Sequence, residues 1–239
     1  MRRVLHEVTA DGGLGFCHEA LPGLLMPGYH GPLVIALDSD ALIDLQQHGN
    51  ALMNDNPLPD RVAADEAYAA ELFGLTDLLN LWLLRDIRFV VTPRSKTDAK
   101  KVTERFLERR LPAIDALADS LAFQISNWTT PAPSHGATPA PVGVETGLSD
   151  GADRELLLEA QAVGAHVFLT RDQLVLQRAV LSGPAMAVTS PRALANELIT
   201  AGVQPFCGGT CGADGCPYDD WPYLAPDTGK WRGLLSVLG

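Results

Sequence analysis

The chain has 239 residues, 46% of them apolar and 20% charged, enough to bury one sizeable core with or without appendages. Its net charge of −11 argues against broad, non-specific nucleic-acid binding, although acids that hold metal ions would add to that total and be offset locally. The opening MRRVLHEVTADGG lacks the apolar segment of a signal peptide, no apolar stretch is long enough to span a membrane, and four cysteines do not make a disulfide framework at this length. The expected setting is therefore the cytoplasm, with no membrane partner.

Residues 1–32 read as an irregular lead-in punctuated by Gly and Pro. Leu33 to Leu37 form a continuous apolar run ending at Asp38, the pattern of a buried parallel strand, and a helix is expected from Ala41 to about His48. A turn-rich break at 54–59 precedes helical spacing over 62–85, with an interruption expected at Gly74. Phe89 to Val91 is a short strand. Residues 95–125 read as one long helix, or as two broken near Pro112. Residues 127–149, rich in Pro, Thr, Ala, Gly and Ser, read as a flexible insertion. Then come a helix at 153–163, a strand at 166–169, a helix at 173–181, a strand at 186–189 and a helix from Pro191 to about Thr200. Alternating strands and helices predict an α/β fold, a parallel sheet with helices on its faces, over 33–202. Residues 203–239 read as an irregular, Cys-containing tail.

Four acids follow strands or open helices in this reading. Asp38 ends the first strand, Asp98 lies in the first turns after the second, Asp153 opens the helix before the third, and Asp172 lies just past it. Ligands of open parallel sheets gather beyond the carboxyl ends of the strands, so these acids map to one rim. Hard divalent cations take such oxygen donors, and a two-metal site can drive phosphodiester hydrolysis. Each acid also has a plainer reading as a helix cap or a strand end. Asp98 would close a capping box with Ser95, Asp153 would belong to a cap begun by Asp150, and Asp172 would be an N-cap.

The segment VIALDSDALIDL (34–45) resembles the opening motif of PIN-domain nucleases, and DRELLLEAQAVGAHVFLTRD (153–172) resembles the second half of that family, with MAVTSPRALANEL after it matching its closing strand, Ser-Pro and helix. The resemblance spans roughly 33–200. It implies a three-layer α/β/α fold with a mainly parallel sheet and an endoribonuclease that uses Mg²⁺ or Mn²⁺ on RNA, single-stranded by expectation. Asp38, Asp153 and Asp172 carry over as metal ligands, and Thr170 as a small polar support; Ser39 occupies the Ser/Thr position of the opening motif. The family's middle-helix Glu is matched here by Asp98, one methylene shorter. Glu104, Asp40, Asp44 and especially Asp150 stand in reserve. The resemblance also implies a possible toxin role, with an antitoxin or a second copy as partner.

Arg94, Lys96, Lys100, Lys101, Arg105, Arg109 and Arg110 concentrate seven of the 18 basic residues in one window. On a continuous helix Lys101 and Arg105 would share the face of Asp98 and meet RNA phosphates, with Arg94 beside them; the plainer reading is a solvated face. Cys207, Cys211 and Cys216, with Cys17 or a His as fourth ligand, could hold a structural Zn²⁺, against free thiols. Two rival readings use the same residues. Asp38-Ser39-Asp40 fits the nucleophile and acid of a haloacid-dehalogenase-like phosphatase, and the shortened Asp98 fits a silent PIN-like module that binds RNA or protein.

Overall fold

The computed structural model describes residues 15–18, 20–100, 104–122, 151–179, 186–203 and 228–238. The expected insertion at 127–149 lies outside them. The lead-in contains a minimal antiparallel pair, β1 (Phe16–Cys17) with β2 (His30–Gly31). Next come β3 (Leu33–Leu37), α1 (Ser39–Met53), α2 (Asp60–Ala63), α3 (Glu66–Leu84), β4 (Ile87–Val91), α4 (Pro93–Ala99) and α5 (Glu104–Ala122). The remainder is α6 (Gly151–Ala162), β5 (Val167–Leu169), α7 (Gln173–Arg178), β6 (Ala187–Thr189), α8 (Pro191–Thr200) and α9 (Thr228–Leu238).

Strands β4, β3, β5 and β6 lie in that order in one sheet, and all pairings are parallel. In β3 the side chains alternate between two separate cores, as the period of two in a strand requires. Leu33, Ile35 and Leu37 pack with residues of α1, α3, α5, α8 and α9. Val34 and Ala36 pack with Leu156, Leu157 and Ala160 of α6 and Val175 of α7. Helices therefore cover both faces of the sheet, which is why β3 and β5 are apolar without interruption.

Several boundaries differ from the sequence reading, each for a tertiary reason. Gly74 does not interrupt α3. A Cβ there would lie 2.5 Å from the backbone N and Cα of Arg192, so the glycine lets α3 and α8 meet backbone to side. In the 95–125 region α4 ends at Ala99, and Pro112 sits inside α5 rather than at a break. Around Pro112 the helix is anchored by buried Ile114, Leu117 and Leu121, while Lys96 and Lys100 of the first piece both reach Asp115 of the second (2.7 and 2.8 Å). Part of the expected irregular tail is the helix α9. Its Leu234 is fully buried in the main core, and Leu238 fills the space left by the missing side chain of Gly49. The lead-in likewise contributes Phe16, Leu21, Leu24 and Leu25 to that core. The amino-terminal end of the sheet is closed by buried charge: Arg88 pairs with Asp86 at 3.0 Å, with buried Arg85 next in sequence.

Candidate functional site

The chain leaves β3 toward β4 on one side and later returns to β5 and β6 on the other. Beyond the carboxyl ends of β3 and β5 the order reverses, and such a switch point leaves a crevice where open α/β sheets bind ligands. Leu37 and Leu169, the last residues of the two strands, are in register, and the Asp38 N–H donates to the Leu169 carbonyl at 3.0 Å. Asp38 and Thr170 therefore meet at the crevice.

The Thr170 hydroxyl donates to Asp38 Oδ2 at 2.6 Å, and the Ser39 N–H donates to Asp38 Oδ1 at 2.5 Å. Asp38 is 5% exposed and Thr170 fully buried. Burial raises the pKa of Asp38 most, hydrogen bonds from Thr170 and Ser39 oppose the rise, and the charge of Asp153 adds to it. That last effect brings Asp153, in the first turn of α6, into the electrostatic field of Asp38. Asp40, in the first turn of α1, accepts the Arg171 N–H on Oδ2 at 2.6 Å. Its Oδ1 is buried without a hydrogen-bond partner among the described residues. Burial, and then the charge of Asp38, push the Asp40 carboxyl up to about 7.

Asp44, one of the reserve acids of the sequence reading, is enclosed at this corner by two residues that reading did not assign to the site, Arg171 and Tyr68. The Arg171 guanidinium grips Asp44 with Nε on Oδ2 at 2.5 Å and Nη2 on Oδ1 at 2.9 Å. It also lies 4.6 Å over the ring of Tyr68, whose hydroxyl donates to Asp44 Oδ1 at 2.7 Å. Asp44 stands four residues after Asp40 on α1, a spacing that signals a shared helical face. Tyr68 comes from α3, and no local pattern announces it.

The other expected residues divide. Asp98 follows β4 on the same rim, but its Oδ2 accepts Arg94 Nε at 2.9 Å, and Arg94 Nη1 also pairs with Glu155 of α6 at 3.2 Å. The Arg94 N–H donates to Glu159 at 2.9 Å, which ties the start of α4 to α6. Arg94 is thus engaged by acids of α4 and α6. Asp98 forms no capping box with Ser95, because Thr92 caps α4. Asp172 lies past β5 but is exposed, and its Oδ1 accepts the N–H groups of Leu174 and Val175 as the N-cap of α7. The helix that carries Asp98 ends at Ala99, with Lys100 as its C-cap, and the helical face expected to join Asp98 to Lys101 and Arg105 runs through residues outside those described. The side chain of Arg105, and all of Lys101, Asp150, Cys207, Cys211 and Cys216, lie outside the described residues, as does the side chain of Cys17.

Asp38, Asp40 and Asp153 supply hard oxygen donors whose mutual charge a cation would relieve, and the orphaned Asp40 Oδ1 has the chemistry of a ligand atom. The fit is one of donor type. Among the described residues no three His, Cys, Asp or Glu side chains form a ready-made cage, so Asp98 and Asp172 would have to turn away from Arg94 and from α7 to join. Also among the described residues, no helix is long and apolar enough to cross a membrane. Comparisons with protein-family models, with curated proteins and with solved structures each return no match.

Proposed function

We propose that the chain is a PIN-like, Mg²⁺- or Mn²⁺-dependent endoribonuclease with its site at the β3–β5 crevice. The observation that carries the reading is the buried hydrogen bond from Thr170 to Asp38 at a topological switch point, with Asp153 close enough to raise the Asp38 pKa. Buried carboxylates of like charge are destabilising unless protonated or offset by a cation. Asp38 and Asp153, with Asp40 in support, would hold the ion; Asp98 and Asp172 would join from the same rim after rearrangement. A bound divalent ion supplies an activated water and a stabilised leaving oxygen. Thr170 orients Asp38 by its hydroxyl, and Arg171 fixes Asp40 by its amide.

The test is cleavage of end-labelled single-stranded RNA by the purified chain with Mn²⁺. Cleavage is expected to need the metal, to stop with EDTA, and to fall at least 100-fold in Asp38→Asn, which keeps shape and removes charge. Equal cleavage by wild type and Asp38→Asn, unaffected by EDTA, refutes the proposal. One observation favours a second reading, a phosphatase with Asp38 as nucleophile and Asp40 as acid: a carboxyl near 7 retains a proton to donate at neutral pH. Against it, both Asp38 oxygens already accept hydrogen bonds. Hydrolysis of p-nitrophenyl phosphate without RNA cleavage would select the phosphatase. RNA binding with neither activity would select the silent module. Toxin character, with an antitoxin partner, belongs to the same proposal and would appear as growth arrest on expression of wild type but not of Asp38→Asn.

A further inference from the structure

The turn Thr170-Arg171-Asp172 touches α1 at three successive levels. Thr170 donates to Asp38, the Arg171 amide donates to Asp40, and the Arg171 guanidinium forks onto Asp44. The Asp172 amide in turn donates to Thr170 Oγ1 at 3.0 Å, which directs the hydroxyl proton of Thr170 toward Asp38. Asp44 is 2% exposed at its side chain and also accepts a hydrogen bond from the Tyr68 hydroxyl. The Arg171 side chain is 27% exposed, with its inner face on the Tyr68 ring. Burial works against the Arg171 charge, but Asp44 and Asp40 outweigh it and raise its pKa, so the guanidinium stays charged.

We infer that Arg171 is a positioning residue: clamped between Asp44 of α1 and Tyr68 of α3, it holds the 170–172 turn against α1 and thereby fixes the orientation of Asp38 for cation binding. The inference rests on the metal-dependent reading above for its last clause only. A planar fork with an aromatic face fits a guanidinium and does not fit an ammonium, so charge alone is insufficient. Partners that orient metal ligands are worth about 10- to 100-fold in metal affinity.

The sign of the effect separates positioning from simple charge. Removing a cation beside three acids should, by Coulomb's law alone, tighten Mn²⁺ binding. Positioning predicts the reverse. Mn²⁺ affinity is measured by calorimetry on the full chain for wild type, Arg171→Met, Arg171→Lys and Tyr68→Phe. In the same proteins, hydrogen exchange is followed at the amides of residues 171 and 172 without metal. Arg171→Met is expected to weaken Mn²⁺ binding about tenfold or more and to speed exchange at both amides by a similar factor. Arg171→Lys should lose nearly as much despite its charge. Tyr68→Phe, which removes the hydroxyl that donates to Asp44 and keeps the ring under Arg171, should show a smaller change in the same direction. With RNA, kcat should fall in Arg171→Met while KM stays within about twofold. Unchanged or tightened Mn²⁺ affinity in Arg171→Met, or unchanged amide exchange in both Arg171→Met and Tyr68→Phe, overturns the inference. If wild type binds no Mn²⁺, the metal-dependent reading fails by itself, and the exchange rates still decide whether Arg171 holds the turn.

Discussion

His166, just before β5, gives a stability prediction that is independent of any ligand. Its Nδ1 accepts the Val34 N–H at 3.0 Å, and its ring meets Tyr29 edge to face at 4.6 Å. Burial lowers its pKa from 6.5 to about 4. A histidine with a depressed folded pKa contributes stability that is complete above 6.5 and is lost as pH falls toward 4, because the unfolded chain takes up the proton first. At about 1.4 kcal/mol for each pH unit, the gap amounts to about 3 kcal/mol. His166→Asn keeps an acceptor near the Val34 amide and cannot titrate. At pH 7.5 it should be less stable than wild type by about 1–2 kcal/mol, for the lost ring packing. By pH 4 that deficit should vanish or reverse, since only wild type has lost the proton-linked term. Urea denaturation of both proteins at half-unit steps across this range measures the difference directly, and other titrating groups cancel between them. A stability difference that stays constant from pH 7.5 to 4 would refute the claim that the fold holds the half-buried His166 neutral.

Three further outcomes follow from the same reasoning. Asp40 holds its proton more tightly folded than unfolded, so its contribution is complete below 3.8 and declines as pH rises toward about 7. Asp40→Asn with chelator present should match wild type near pH 4 and exceed it by up to about 4 kcal/mol at pH 8, a gap read from denaturation curves. Gly74→Ala should lower stability by about 1–3 kcal/mol despite the better helix propensity of alanine, because the new Cβ meets the backbone of Pro191 and Arg192; an unchanged or raised Tm would contradict the close approach of α3 and α8. Loss of Mn²⁺-dependent RNA cleavage in Asp38→Asn, with an intact fold by circular dichroism, is the outcome expected at the site itself.

What the sequence determined is what short-range physics controls. The unbroken apolar runs at β3 and β5 could be satisfied only by burial on both faces, and this led to a parallel sheet covered by helices. Strand ends followed by Asp38 and by Thr170 already marked the rim, because a polar residue ending a buried strand must face an opening or a partner. The Ser190 cap and Pro191 likewise fixed the start of α8 locally. The tertiary structure decided the rest. Gly74 reads as a helix break until α8 is seen resting on it, and WRGLLSVL reads as tail until Leu234 is found in the core. The end of α4 at Ala99 goes with two lysines, Lys96 and Lys100, that reach Asp115 of α5, a pairing across elements that no local pattern shows. Asp98 and Asp172 look equivalent to Asp38 in sequence, yet Arg94 and the α7 amides engage them, since hydrogen-bond partners are chosen by distance in space. The clamp joins Arg171 to Asp44, 127 residues away, and to Tyr68, itself 24 residues from Asp44, and only packing brings a guanidinium, a carboxylate and an aromatic face within contact.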